Sequence, residues 1–195
     1  MVFEAPWNGA RSSGGSGARS ELRGTKADGS EDNWTLAGTN TLEATCAVQS
    51  AGTNGTNKVI IGQIHGKLPD VPTFTISYNF PNAKDVSVSF KTNSAGIGND
   101  DKVVLATSVN LFDLIHYKLQ LTDNGTTVKL HGEASTNGVA YPPPSDKTLA
   151  SNSSDAWHSA TFYFKAGCYY PTNASWSAAA DTAKVTFSSL SATRH

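Results

Sequence analysis

Apolar residues in this chain recur at every second position, in short runs separated by polar turns. Across Thr41–Gln49, Leu42, Ala44, Cys46 and Val48 fall on one side of an extended backbone and form a buried face. Lys58–Gly66 is strongly β-branched and predicts another strand. The same reasoning predicts strands at Arg19–Arg23, Thr73–Phe80, Val86–Thr92, Lys102–Val109, Tyr117–Thr122, Thr126–His131, Ala160–Tyr169 and Ala183–Leu190. Asn110–His116 has room for a helical turn and no more. Asp123-Asn124-Gly125 reads as a hairpin, because Asn-Gly accepts positive φ at both turn positions. Ser12–Gly17 reads as a flexible loop, Asp28–Asn33 as a polar turn, and Ala134–Ser154, with its three prolines, as a long surface loop. About ten short strands without a long helix predict an all-β fold, an antiparallel β-sandwich or jelly roll, as one domain over 1–195.

Composition agrees with that class. Only 16% of residues are charged and 17 are glycine, which suits strands and turns better than helical bundles. The net charge of -1 provides no field for nucleic acid or a membrane surface, so a polyanion would need a local basic cluster. No apolar run is long enough to span a bilayer, and the first residues lack the basic end and apolar middle of a signal peptide. Sequons at Asn33, Asn54, Asn124, Asn152 and Asn173 are weak support for secretion, since about three are expected by chance at this Ser and Thr content. Cys46 and Cys168 both take core-facing parity, and a disulfide and two buried thiols are equally compatible with that. His116, His131, His158 and His195 show no ligand spacing, so neither a metal nor another cofactor is expected. Trp34, Trp157 and Trp176 suit sugar stacking and packing under loops equally well.

Three stretches break the packing logic. In Ala160–Tyr169, Phe162, Phe164, Ala166 and Cys168 form a core face, while Tyr163, Lys165 and Tyr169 occupy the other. Arg19-Ser-Glu-Leu-Arg23 places Arg19, Glu21 and Arg23 together, and Ile61-Gly-Gln-Ile-His65 does the same for Gln63 and His65. Guanidinium forks bind carboxylates in two-point geometry, and the Gln63 amide donates without adding charge. His65 can take a proton near neutral pH. Tyr169 can donate or accept one where Lys165 and the arginines stabilise its phenolate. Together these groups suit proton abstraction beside a carboxylate, which on a uronate polymer is β-elimination. A glycoside hydrolase would need two facing carboxylates, and only Glu21 sits on these strands.

Arg19-Ser-Glu-Leu-Arg23, Gln63-Ile-His65 and Tyr163-Phe-Lys-Ala-Gly-Cys-Tyr169 resemble, in order, the three signature blocks of polysaccharide lyase family 7, the alginate lyases. Met1-Val2-Phe3 with Ala5-Pro6, and Val185-Thr-Phe187, resemble that family's flanking segments. The resemblance implies a jelly roll with one concave sheet as the cleft, and a secreted, endo-acting, metal-independent lyase. It implies anionic polysaccharide as the partner, no nucleic acid or membrane, and a monomer. Arg19 and Gln63 would neutralise the substrate carboxylate. His65 would be the base for guluronate, and Tyr169 the acid and also the base for mannuronate. Arg23, Lys165 and Tyr163 would bind neighbouring uronates, and Glu21 would orient the arginines. Ile64 is associated with guluronate-containing substrates in this family. The chain departs from the family where Tyr169 is followed by Tyr170-Pro171 instead of Tyr-x-Gln, which removes an amide and a backbone donor. It also opens inside the first conserved region, where members usually carry a few dozen more residues, so an exposed sheet edge is expected. A glucuronan lyase and a non-catalytic carbohydrate-binding module are the alternatives.

Overall fold

Alternating strands of this kind must bury their apolar faces against one another, and they do so as two layers. The computed structural model describes residues 1–9, 17–52, 58–68, 73–91, 100–141, 146–171 and 181–195. The serine and glycine residues at 12–16, the prolines at 142–144, the sequons at Asn54 and Asn173, and Trp176 lie outside these residues. Among the described residues the strands form two seven-stranded sheets. The first runs β1 (Val2–Pro6), β14 (Thr182–Arg194), β4 (Gly38–Ala51), β9 (Ile115–Asp123), β10 (Val128–Thr136), β11 (Val139–Ala140), with β12 (Lys147–Ala150) also on β10. The second runs β2 (Gly17–Arg23), β13 (Thr161–Pro171), β5 (Lys58–Leu68), β6 (Phe74–Asn79), β7 (Asp85–Lys91), β8 (Asp100–Ala106), with β3 (Trp34–Thr35) also on β13. Each neighbouring pair is antiparallel.

The core lies between the sheets. Leu42, Ala44, Cys46 and Val48 from β4 meet Ile115, Tyr117, Leu119 and Leu121 from β9 on one inner face. Phe74, Ile76, Tyr78, Phe162, Phe164, Ala166 and Cys168 line the other. Each large apolar side chain buried here contributes about 1.5–3 kcal/mol. Trp34 and Trp157 belong to this core: Trp157 stacks on Phe162, and Trp34 packs at 4.6 Å on Phe164. Cys46 and Cys168 are free thiols, one in each sheet. Burial raises both, Cys168 to about 12, so neither is a nucleophile at neutral pH.

Several expectations change at the turns. Asn110–His116 contains no helical turn: Phe112 adopts φ 68° and Ile115 already begins β9. The stretch from Ala134 to Ser154 is not one long loop, because β10 continues to Thr136 and both β11 and β12 pair with it. The signal overlooked there is Asn137-Gly138, whose positive φ values of 51° and 80° are those of a tight hairpin. The Asn124-Gly125 hairpin does form, but by other means. Gly125 alone has positive φ, and the Asn124 side chain accepts from the amides of Thr126 and Thr127. A four-residue 3-10 turn at Ala156–Ser159 carries Trp157 into the core.

One contact between the layers sets the path of β5. The buried Tyr117 hydroxyl donates to the Ile61 carbonyl at 3.0 Å. Strict alternation would put Ile61 on the face of Gln63, yet Ile61 is in the core and Gly62 also faces Tyr117. The register of β5 against β6 shifts at this point. The bulge lets two consecutive residues turn inward, after which Gln63 and His65 point out of the sandwich. A Cβ on Gly62 would lie 2.5 Å from the Tyr117 oxygen. Gly62→Ala should cost about 1–3 kcal/mol by overpacking. In chemical denaturation, Tyr117→Phe should recover part of that loss, because it removes the atom that clashes.

His158 clasps the far end of the sandwich. Its Nδ1 faces Asp123 at 2.8 Å and its Nε2 faces the Asn152 carbonyl at 3.0 Å, so only the doubly protonated ring donates to both. The hydrogen bond to Asp123 is the main cause of its raised pKa. The clasp is therefore fully present below the unfolded value of about 6.5 and is lost as pH rises through the higher folded value. Stability of the wild type should fall across that window relative to His158→Gln, measured as denaturation midpoint against pH.

Candidate active site

The three chemistry-bearing stretches become adjacent strands, with β13 between β2 and β5. Register places Arg19 opposite Tyr169, and Arg23 opposite Lys165. On the other side of β13, Lys165 lies opposite Gln63 and Tyr163 opposite His65. All eight residues expected at the site thus fall on one stretch of the sheet. Gly167 makes this possible: a Cβ there would lie 2.3 Å from the Ser20 carbonyl oxygen and 2.7 Å from Glu21 Cα. Only glycine lets β2 approach β13 so closely.

His65 Nδ1 lies 2.7 Å from the Gly66 carbonyl. A carbonyl only accepts, so Nδ1 carries the proton and Nε2 the lone pair of the neutral ring. The imidazole stacks on Tyr163 at 5.0 Å between centroids. Tyr163 is itself only 4% exposed and lies outside the core cluster. Arg23 sits 3.6 Å above the Tyr163 ring centroid, and its guanidinium also bonds Asn33 and Glu31, both at 3.0 Å. Arg23 is therefore seated on its own protein, and Tyr163 lies beneath it as packing instead of being an open contact. Arg19 lies 4.2 Å over the ring centroid of Tyr169, a cation–π contact that ties the two side chains together.

Glu21 differs from its expected role. Its side chain is 5% exposed and accepts from Gln63 Nε2 and, at 3.4 Å, from Lys165 Nζ. It holds the amide and the lysine, not the arginines. Gln63 is 1% exposed, so its hydrogen-bonding groups are committed to this network and whatever enters beside it.

Sequence reasoning missed Glu31, Asn33 and Lys67. Glu31 bridges Arg23 and Lys67 across the site's rim, and hydrogen bonding from Asn33 holds its carboxyl below the usual range. Lys67 shares the parity of Gln63 and His65, a usable signal, whereas Glu31 and Asn33 sit in a polar turn without periodicity. The register also extends the site outward. From Gln63 it passes to Thr75, then Ser89, then Lys102, so one row crosses the sheet from Arg23 to Lys102. Lys102 is paired with Asp85 at 3.2 Å. At the departure from the family pattern, Tyr170 turns into the core and donates to Asp181 at 2.6 Å, while Pro171 ends β13 opposite Gly17. Tyr163→Leu should lose the ring face beneath Arg23 and part of the buried volume, costing about 2–4 kcal/mol in chemical denaturation.

Comparison with known proteins bears on the family and the fold. The chain matches solved structures across nearly its whole length. Alginate lyase PA1167 from Pseudomonas aeruginosa is 24% identical, with a TM-score of 0.82, covering 100% of this chain and 82% of that one. The family 7 alginate lyase A1-II' in complex with the product GGG is 26% identical, with a TM-score of 0.76, covering 99% and 79%. A second structure of A1-II', named as a member of polysaccharide lyase family 7, is 27% identical, with a TM-score of 0.75, covering 99% and 78%. A comparison with curated proteins finds no match. A profile described as alginate lyase matches residues 1–194. With three ordered blocks, a shared sandwich and a family profile spanning its length, this chain belongs to polysaccharide lyase family 7, the alginate lyases.

Proposed function

We propose that this alginate lyase cuts within the polymer, by metal-independent β-elimination, and slightly favours guluronate-containing chains. The observation that carries the reading is the placement of Arg19, Gln63, His65 and Tyr169 on three adjacent strands. Arg19 and the Gln63 amide neutralise the C5 carboxylate, which makes the C5 proton acidic enough to remove. His65 Nε2 takes that proton where it lies opposite the leaving group, as in guluronate. The C5–H electron pair forms the C4–C5 double bond as the C4–O bond breaks, and Tyr169 delivers a proton to the departing oxygen. For mannuronate, where both events lie on one side of the ring, Tyr169 serves as base and then acid.

The charge that a metal would otherwise supply comes here from Arg19 and the polarised amide. Endo cutting is supported by the row from Arg23 and Lys165 through Gln63, Thr75 and Ser89 to Lys102, which offers cations on both sides of the scission point. The guluronate preference rests on Ile64, fully buried between Gln63 and His65, through its association in the family. A polymer too large to enter a cell implies a secreted enzyme.

Incubation with poly-guluronate, poly-mannuronate and glucuronan, followed by ultraviolet absorbance of the new double bond, tests the reading. Absorbance should rise with both alginate blocks, faster with poly-guluronate, and the early products should be long oligomers. No absorbance alongside measurable binding would leave a binding module instead. Tyr169→Phe should abolish turnover on either alginate block while keeping affinity for oligomers; near-normal rates would remove Tyr169 as the acid.

A further inference from the structure

A carboxylate is an unexpected neighbour for groups that must bind carboxylates. Glu21 nevertheless lies in their midst, almost fully buried, with its two oxygens divided between Gln63 and Lys165. Its backbone is held there by the close approach of β2 to Gly167. We infer that Glu21 is a positioning residue that fixes which end of the Gln63 amide meets the substrate, an inference that rests on the function proposed above.

An amide has a donor end and an acceptor end of nearly the same shape. Were Gln63 to rotate by half a turn, it would present oxygen to a substrate carboxylate and repel it. A carboxylate can only accept, so Glu21 draws the NH₂ group to itself. One N–H goes to Glu21 and the second, on the same nitrogen, remains for the substrate. Glu21 also balances Lys165, which faces Gln63 across the strands, so the lysine does not compete for the position of the incoming carboxylate. The arrangement gives up some attraction for a polyanion in exchange for a single orientation of the donor.

Glu21→Gln tests this, because glutamine keeps the shape but can donate as well as accept. Its kcat should fall about 10- to 100-fold, the scale of a misplaced transition-state donor. Affinity for a guluronate oligomer, measured by calorimetry in a Tyr169→Phe background, should stay level or rise, since a repelling charge is gone and Lys165 is released. A purely structural role would lower affinity and melting temperature together. Unchanged kcat, or a raised KM with kcat intact, would overturn the inference.

A second measurement does not depend on turnover. The side-chain amide protons of Gln63, assigned by their through-bond connection to the Gln63 methylenes, should exchange slowly with solvent in the wild type. They should exchange quickly in Glu21→Gln and remain slow in Lys165→Met. Fast exchange in the wild type, which needs no variant to fold, would overturn the inference, as would unchanged protection in Glu21→Gln. If no polymer yields unsaturated product, the proposed function fails, while the exchange data still decide whether Glu21 holds the amide.

Discussion

The register of β13 against β2 and β5 is the constraint on which this site depends. None of the eight residues acts alone: Arg19 needs Tyr169 opposite it, Gln63 needs Glu21 two strands away, and His65 needs Tyr163 beside it. A slip of β13 by one residue would turn Tyr163, Lys165 and Tyr169 toward the core. Register is held at two close approaches, Gly167 against β2 and the Ile61–Gly62 bulge seated on Tyr117. The chemistry on the outer face is thus set by packing on the inner one.

That coupling explains why a site for a polyanion is so closely knit. Arg23 directs one guanidinium nitrogen to both Glu31 and Asn33, the charge of Lys165 is balanced by Glu21, and Tyr163 is buried under Arg23. Flexible cations would bind a uronate chain more tightly, but in many poses. Held cations bind it in few, and elimination requires the C5 proton, the carboxylate and the leaving oxygen to meet three separate groups at once.

The two sheets divide the work. The inner faces carry aromatic and branched residues, including Trp34 and Trp157, which suited sugar stacking as well as packing when read from sequence. Their burial follows from the short β3 and the 3-10 turn, elements too small to leave a periodic signal. The cysteines, equally open in sequence, are buried thiols, one per sheet.

The residues alone determined the strand class, the inward faces of β4 and β13, and which eight side chains the three strands would bring together, because alternation and side-chain chemistry are local properties. Tertiary structure decided the rest. Parity could not reveal the bulge at Ile61, since its cause is a tyrosine from the opposite sheet. Nor could it show Glu21 turned toward Gln63 instead of the arginines, or Glu31 and Asn33 reaching Arg23 from a turn. Those contacts join residues far apart in the chain, and only register and layer packing bring them within hydrogen-bonding distance.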